Sequence, residues 1–221
     1  LPAALGTKTI SKPDIGSWSA TTVDALGRTT KVEVHNGMTA PAAQGTLTDG
    51  GSITTYAYSY DQSANVLGGY DRTGFLTTTM TDDGSNQTVM VSDLAGRTVT
   101  STDPNAGVSQ FTYDPAGRVT KTVDAAANTI NTAYDVLGRQ TGRWKGAAAS
   151  FAAAAGVDRV ASWTYDTLPG GKGMVASETS WQAGAQYVSS VLAYNARYQV
   201  TSSQQTIPGV FGTDVLAGDW K

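Results

Sequence analysis

The sequence contains few side chains that could perform acid–base, nucleophilic or metal chemistry. Cysteine is absent, which excludes a Cys nucleophile and a thiolate zinc site. His35 is the single histidine, and the sequence shows no partners that would complete a Ser/His/Asp triad with it. Glu33 and Glu178 are the only glutamates, whereas glycoside hydrolysis uses a pair of carboxylates that flank the scissile bond. We interpret His35 as a solvated residue at a strand end, and we predict no catalytic residue.

Two short motifs could suggest a bound ion or nucleotide. Asp82-Asp83-Gly84 resembles part of a calcium loop, but the spaced acids and the terminal glutamate of such loops are missing. Gly170-Gly171-Lys172-Gly173 is rich in glycine, yet it does not fit the G-x-x-x-x-G-K-S/T pattern that holds phosphate. Both are therefore interpreted as a turn and a loop, and neither a metal site nor a cofactor is predicted.

Tryptophans offer a different chemistry, the stacking of a flat ring on a sugar. If two or more of them were exposed on one face of a sheet, they could bind a carbohydrate. The interpretation that we favour is that they fill the core beneath an Ala-rich segment, close to Phe151. The tryptophans considered as ligand-binding residues are Trp18, Trp144, Trp163 and Trp181.

The strongest pattern in the chain is a repeated turn motif, D-x-x-G, usually followed by arginine. Its copies alternate with a second series of turns, and the leading acids from Asp61 to Asp135 are 10 or 11 residues apart. That spacing equals one strand plus one turn. The residues assigned to the D-x-x-G turns are Asp24, Gly27, Arg28, Asp71, Gly74, Asp93, Gly96, Arg97, Asp114, Gly117, Arg118, Asp135, Gly138 and Arg139.

These residue types have a clear role in a tight turn. The aspartate carboxylate accepts hydrogen bonds from backbone N–H groups two residues on, and glycine supplies the positive φ that closes the turn. A type I turn followed by a left-handed residue is a common hairpin connection. The segments between the turns alternate as strands do, with Val119, Lys121 and Val123 on one face. The arginines can bridge to the aspartate of their own or of an adjacent turn.

The elements that position these turns are predicted to be all-β: an antiparallel meander of hairpins that forms a curved or spiralling sheet. Tyrosines that precede the turns would stack in rows, each ring covering the face of its neighbour. Because an open sheet has unpaired edges, the chain is also expected to associate with itself through them. The tyrosines expected to stack are Tyr60, Tyr70, Tyr113, Tyr134, Tyr165 and Tyr194.

One segment interrupts the rhythm of the repeat. Residues 146–156 are rich in alanine between two glycines, and alanine favours helix. We predict a short helical insertion there, within a single domain over residues 1–221. The abrupt ends indicate a fragment of a larger protein.

Composition excludes several classes of protein. Charged residues are 15% of the chain and the net charge is −3, with no cluster of Lys and Arg that could bind nucleic acid. Hydrophobic residues are 40%, enough for a core, but there is no apolar run long enough for a membrane span.

The motif Y-D-x-x-G-R at residues 113–118 and 134–139 resembles the YD repeats of the RHS family, whose relatives include bacterial toxin-complex shells and the teneurins. The resemblance extends from Asp24 to Asn195. It implies a long sheet that spirals into a hollow shell, and in bacteria such shells often enclose a toxic C-terminal domain. This chain has 221 residues, too few strands to close a full shell.

The resemblance implies a non-catalytic scaffold in a secreted or cell-surface bacterial protein. Its partners would be the rest of the parent polypeptide or a toxin cargo. The alternative function is a carbohydrate-binding or adhesive surface module, with glycans as partners.

Overall fold

The computed structural model describes residues 7–11, 17–36, 50–61, 74–209 and 218–220. These residues form sixteen β-strands and one 3-10 helix, and no helix among them is long and apolar enough to cross a membrane. The all-β prediction is confirmed. Tyr70, which is expected to stack, and Asp71, which is assigned to a turn, lie outside the described residues.

The strands are short and follow one another with brief connections. They are β1 (Thr7–Ser11), β2 (Ser19–Val23), β3 (Thr29–Val34), β4 (Ser52–Asp61), β5 (Phe75–Thr81), β6 (Gln87–Asp93), β7 (Thr98–Asp103), β8 (Gly107–Tyr113), β9 (Val119–Val123), β10 (Thr129–Tyr134), β11 (Gln140–Lys145), β12 (Arg159–Tyr165), β13 (Val175–Gln182), β14 (Ala185–Tyr194), β15 (Val200–Ile207) and β16 (Gly218–Trp220). The 3-10 helix, η1, spans Gly156–Asp158.

The chain divides into two compact units, residues 1–110 and residues 111–221. Within each unit every strand pairs antiparallel with the strand before it and the strand after it in the chain. In the first unit β4 and β5 pair without interruption from Thr55 opposite Thr81 to Asp61 opposite Phe75. The predicted antiparallel meander is therefore the observed topology.

Threonine and other β-branched residues explain why these segments are strands. β5 has the sequence FLTTTMT and β9 has VTKTV, and branched side chains pack well on a pleated surface. Most strand residues are half-buried on both faces of the sheet. Few apolar side chains of the described residues are fully buried, among them Ala20, Phe75 and Trp144. Backbone ladders and cross-strand pairs therefore contribute much of the stability.

The first unit contains a buried ionic group that the sequence did not predict. Glu33 on β3 is 1% exposed and lies between two ammonium groups, Lys31 at 2.7 Å and Lys8 of β1 at 3.0 Å. Burial raises the pKa of the Glu33 carboxyl, but hydrogen bonds from both lysines outweigh it and the pKa is lowered. His35 follows on the same side of the chain and is 6% exposed, so its interpretation as a solvated residue is wrong. Glu33 lies in β3 and His35 follows the end of that strand two residues later, so alternation along the chain places both on the same, covered face.

The Ala-rich segment is not a helix. In residues 146–155 the chain makes bends and turns, followed by the single turn η1. Two helical turns would have gained little, because isolated short helices are marginal in water. The segment is fixed instead by tertiary contacts. The indole N–H of Trp144 donates to the Ala148 carbonyl at 2.7 Å, and the guanidinium of Arg159 donates to the Ala152 carbonyl at 3.2 Å.

Candidate functional site: the interlocked Asp–Arg turns

Each D-x-x-G-R turn is built around its aspartate carboxylate. At Asp93, Oδ1 accepts the backbone N–H of Ala95 at 2.9 Å and that of Arg97 at 3.0 Å. Gly96 has φ +76° and donates its N–H to the Asp93 carbonyl at 2.9 Å. This is the left-handed position that glycine occupies without strain. The turns that begin at Asp24, Asp114 and Asp135 have the same backbone bonds.

The second carboxylate oxygen binds the arginine at the end of the turn. Nε of Arg97 donates to Oδ2 of Asp93 at 2.8 Å, and Nε of Arg118 donates to Oδ2 of Asp114 at 2.6 Å. Burial raises the pKa of the Asp93 carboxyl, but the bonds from the Arg97 side chain and backbone outweigh it, so the pKa is lowered. The carboxylate is thus held ionised, and each turn is neutral.

The arginine also contacts the tyrosine of the next hairpin. The guanidinium carbon of Arg118 lies 4.7 Å from the centroid of the Tyr134 ring, within the range of a cation–π interaction. The Tyr134 hydroxyl donates to the carbonyl of Val119 at 2.9 Å, beside that arginine. A further nitrogen of Arg118 donates to the Asp135 carbonyl at 3.1 Å. Two successive hairpins are therefore joined by side chains as well as by their backbone ladder; we call this arrangement the Arg–Tyr interlock.

The interlock recurs at two other turns. In the first unit the guanidinium of Arg28 lies 4.4 Å from the Tyr58 ring, and the Tyr58 hydroxyl donates to the Thr29 carbonyl at 2.7 Å. In the second unit Arg139 lies 4.2 Å from the Tyr165 ring. The interlock is therefore a property of the repeat.

Arg139 makes one further connection, to the hairpin beyond its own. Its terminal nitrogens donate to both carboxylate oxygens of Asp166, at 3.1 and 2.5 Å. The hydrogen bonds that Arg139 donates to Asp166 and Asp135 raise the pKa of its guanidinium. Arg139 thus binds the acids of two consecutive YD motifs. The sequence predicts a bridge to the aspartate of the same turn or of an adjacent turn, and Arg139 makes both.

The contacts of three tyrosine rings differ from the predicted rows of stacked aromatic rings. The groups over the rings of Tyr58, Tyr134 and Tyr165 are guanidiniums. The sequence assigned Tyr60 to the row, but Tyr60 is 53% exposed and Tyr58 contacts the arginine. Tyrosines recur at residues 56, 58 and 60 of β4. Which of them contacts the arginine depends on the register of the strand, and the spacing of the motifs does not give that register.

Two of the remaining tyrosines are placed as follows. The Tyr194 hydroxyl donates to the Val175 carbonyl at 2.7 Å. The hydroxyls of Tyr58 and Tyr134 likewise donate to backbone carbonyls. Tyr113 is half-buried at the end of β8.

The turns at the other edge of each unit bind their aspartate in the same way, but the side-chain amide of asparagine takes the place of the arginine. At Asp124, Oδ1 accepts the N–H groups of Ala126 and Asn128, and Oδ2 accepts the Asn128 side chain at 2.8 Å. Asp82 binds Asn86 in the same way. The left-handed residue is Ala127 with φ +62°. The signal that sequence reasoning missed is therefore an Asp or Asn with a side-chain donor four residues later, whether or not glycine lies between them.

Asn195 provides the neutral form of this turn in the second unit. Its Oδ1 accepts the N–H groups of Arg197 and Gln199, and its amide donates to the Gln199 side chain at 2.9 Å. Tyr198 takes the left-handed position with φ +59°. An Asn–Gln pair can thus replace the Asp–Arg pair in the turn itself.

Two of the four tryptophans are used in packing. Trp144 is 5% exposed, and its ring meets the edge of Phe151 at a centroid distance of 6.3 Å. Phe151 in turn meets Trp181 at 5.3 Å. This cluster closes one face of the sheet beneath the Ala-rich segment. Trp18 is half-buried, and its carbonyl accepts the His35 N–H at 2.8 Å.

Trp163 lies on the other face of the sheet. Its neighbour Ser162 pairs with Gly142, and a side chain added at Gly142 would point at Phe151. Because successive strand residues alternate, Trp163 points away from the Phe151 cluster. The three described tryptophans of the second unit therefore do not share one face of the sheet.

Among the described residues no group of three or more His, Asp and Glu side chains is arranged to hold a metal ion. The aspartates of the turns are instead bonded to backbone amides and to arginine or asparagine. The arrangement fixes the ends of strands, and its chemistry is that of structural hydrogen bonding.

We expect the stability of the chain to fall in acid. The turn carboxylates have pKa values below their ordinary 3.8, so they stabilise the folded state above that pH, and the contribution is lost as pH falls through the folded values. Melting temperature should change little from pH 7 to about 5 and fall below about pH 4. A constant melting temperature down to about pH 3 would contradict the pairing of these acids. The carboxyls concerned are those of Asp24, Asp82, Asp93, Asp103, Asp114, Asp124, Asp135 and Asp166.

We expect Gly117→Val to destabilise the fold by about 2 kcal/mol, because Gly117 has φ +84° and a branched side chain is strained there. Urea denaturation measures the change. Ala127→Gly is the matched control, since it relieves the same strain at φ +62° and should not destabilise. An unchanged midpoint for Gly117→Val would refute the turn geometry.

Several solved structures are similar to this chain. A crystal structure of TcdB2-TccC3 without its hypervariable C-terminal region is similar to this chain at 11% identity and a TM-score of 0.47, over 93% of this chain and 12% of that chain. One of TcdB2-TccC3 gives 11% identity and a TM-score of 0.42, over 93% and 12%. One of TcdB2-TccC3-TEV gives 15% identity and a TM-score of 0.38, over 90% and 10%.

The chain thus spans between 10% and 12% of the length of these matched chains. No curated protein matches it in sequence. Residues 93–129 match the family model of the RHS repeat, and they include the turns that begin at Asp93 and Asp114. The resemblance that the YD motifs carry is therefore confirmed over residues 93–129, where the chain matches the RHS repeat.

Proposed function

We propose that this chain is a non-catalytic segment of a protein wall that encloses or presents a toxin or another cargo domain. The observation that carries the proposal is the Arg–Tyr interlock, seen at Arg28, Arg118 and Arg139. It joins each hairpin to the next in one direction along the chain. Such a wall can be extended by adding hairpins, without a new kind of contact. We place the protein that carries it outside the cell or at its surface.

The wall would act by being stiff and chemically inert. The ladder fixes the distance between strands, the carboxylate fixes the turn, and the arginine fixes the angle of the next hairpin through its tyrosine. Each acid of a D-x-x-G-R turn is paired with the arginine of that turn, as Asp93 is with Arg97 at 2.6 Å. A neutral edge of this kind presents little net charge to an enclosed domain.

Limited proteolysis of the polypeptide that carries this segment tests the proposal. We expect a cargo domain to resist trypsin while the wall is intact and to be cut faster when Arg118 and Arg139 are both replaced by alanine, because two interlocks are then removed. Arg197→Ala is the matched control, since Arg197 is exposed and is not at the fifth position of its turn. Equal digestion of the cargo in all three proteins would contradict enclosure.

A further inference from the structure

The tips of the D-x-x-G-R turns carry aliphatic side chains that the fold leaves in solvent. In the second unit Val136 is 100% exposed and Leu137 is 71% exposed, side by side in one turn. In the first unit Leu26 and Leu94 occupy the tips of two other turns and are 77% and 64% exposed. These residues are four of the five most exposed large apolar side chains in the part of the chain that the structure describes. Packing within the chain therefore does not explain their apolar character.

Within the second unit the turn tips share one edge of the sheet, because every second connection of a meander lies at the same edge. We call this edge, with the connections that form it, the tip edge. Pro115 and Ala116 are exposed in its first connection, and Pro169 is exposed in its third. Successive connections are two strand spacings apart, about 10 Å. The connections of the tip edge are residues 114–118, 135–139, 166–174 and 195–199.

The opposite edge of the second unit lacks this apolar character. Its turn between Asp124 and Asn128 contains only alanine, and the connection from β13 to β14 consists of Ala183 and Gly184. In the longer connection from β11 to β12, Val157 is the one exposed large apolar side chain among the described residues of this edge. Aliphatic turn tips are therefore a property of the tip edge and not of turns in general.

The polar groups at the base of the tip formed by Val136 and Leu137 are already paired. The Leu137 N–H donates to Oδ1 of Asp135 at 2.9 Å, and the Gly138 N–H donates to the Asp135 carbonyl at 3.0 Å. Oδ2 of Asp135 accepts Nε of Arg139 at 2.6 Å. Burying a polar group is costly when it has no hydrogen-bond partner. This tip can therefore enter an apolar medium without exposing these N–H groups or an unpaired carboxylate to it.

The tip edge also carries an excess of positive charge. Its three carboxylates are all paired with arginines of the turns. Lys172 and Arg197 are exposed, and neither forms an ion pair with another residue that the structure describes. These two cations are therefore available to an anionic partner. The charged residues of the tip edge are Asp114, Arg118, Asp135, Arg139, Asp166, Lys172 and Arg197.

Isolated aliphatic tips fit a fluid surface better than a folded partner. A stable protein interface buries about 800 Å² of each partner in one well-packed patch, whereas each tip presents one or two side chains about 10 Å from the next tip. A lipid bilayer closes around every tip separately, because its acyl chains adapt to the shape that enters them. Nucleic acid would bind the cations but would leave the aliphatic side chains in water.

We propose that the tip edge of the second unit binds the surface of a bilayer that contains anionic phospholipid. Val136 and Leu137 lie at the boundary between headgroups and acyl chains, and Lys172 and Arg197 bind headgroup phosphates. The aliphatic side chains and the cations supply the two signals that stable attachment to a membrane surface requires. The segment is thereby held against a membrane by its turns, while its strands stay outside the bilayer.

Flotation of the full chain with lipid vesicles tests the tip edge. The vesicles consist of phosphatidylcholine with about 30% phosphatidylglycerol, and we expect half of the chain to bind at about 1 mM lipid. Leu137→Asp should weaken binding about tenfold and Lys172→Ala about fivefold, because they remove an inserted side chain and a headgroup contact. Val157→Asp and Lys145→Ala make matched changes at the opposite edge and should each alter binding by less than about twofold.

A fluorescent label locates the contact on the chain. The sequence contains no cysteine, so Leu137→Cys and Ala126→Cys each provide a single site for an environment-sensitive dye. Ala126 is exposed at the opposite edge. On vesicles the emission of the dye at residue 137 should shift to shorter wavelength, while the dye at residue 126 should emit as it does in water. Circular dichroism of all variants confirms that they are folded.

Three results with vesicles would overturn the proposal. They are no binding at about 5 mM lipid, equal loss of binding in Leu137→Asp and Val157→Asp, and equal spectral shifts of the dye at residues 137 and 126. Analytical ultracentrifugation without lipid tests the other occupant. A dimer that Leu137→Asp dissociates would assign the tips to a second copy of the chain and would overturn the proposal as well.

Discussion

Gly142→Val is expected to destabilise the second unit by about 3 kcal/mol, because the added side chain would occupy the space of a packed aromatic ring. A Cβ atom at Gly142 would lie 2.8 Å from Cγ of Phe151 and 3.0 Å from its Cβ. Movement of Phe151 would disturb its contacts with Trp144 and with Trp181. Urea denaturation followed by tryptophan fluorescence measures both the loss of stability and the change around the indoles.

Two further variants make this result specific. Thr141→Val introduces the same branched side chain one residue earlier on β11 and should change stability by less than about 0.5 kcal/mol. In a Phe151→Ala background the cost of Gly142→Val should be much smaller than in the wild type, because the ring that it strikes is gone. Equal costs in the two backgrounds would show that the Ala-rich segment does not pack on Gly142.

Asp93→Ala is expected to destabilise the first unit by about 3 kcal/mol, because it removes one partner of a buried ion pair. The Asp93 side chain is 3% exposed and that of Arg97 is 19% exposed. The substitution leaves the Ala95 and Arg97 amides and the Arg97 guanidinium without the acceptor that they share. Thermal and urea denaturation measure the loss.

The amide form of the turn supplies the control for that experiment. Asp93→Asn combined with Arg97→Gln reproduces the Asn195–Gln199 pair that the chain already contains. This double variant should retain more stability than Asp93→Ala. If Asp93→Ala were as stable as the wild type, the carboxylate would not be the centre of the turn.

Much of the fold follows from short-range chemistry and was predictable. The D-x-x-G motif specifies its turn within five residues, as at Asp93, where one carboxylate binds two amides and an arginine. Turns separated by one strand length leave a meander as the simplest topology. The match of residues 93–129 to the RHS repeat agrees with that pattern.

The features that escaped prediction depend on contacts between distant residues. The helix expected at residues 146–156 was wrong because alanine propensity is weaker than the packing of Phe151 between two tryptophans. Tyr58 could not be distinguished from Tyr60 without the register of β4. The buried Glu33 needs Lys8 from another strand, 25 residues earlier in the chain. Local pattern indicated strands, but not which faces would be covered.

The tryptophans show the same limit for function. Sequence reasoning considered four of them as ligand-binding residues and favoured a place in the core close to Phe151. Trp144 and Trp181 pack with Phe151, while Trp163 projects from the other side of the sheet. The face on which each ring lies follows from the pairing of β11 to β13.

A double-mutant cycle between Arg118 and Tyr134 tests most directly the central claim, that side chains join each hairpin to the next. Arg118→Gln removes the cation and Tyr134→Leu removes the ring, and urea denaturation gives the free energy of unfolding of each variant. We predict a coupling energy of about 1 kcal/mol between them. Arg118→Gln combined with Tyr194→Leu should be additive, because Tyr194 donates to Val175 in another hairpin. Additive effects of Arg118→Gln and Tyr134→Leu would contradict the interlock.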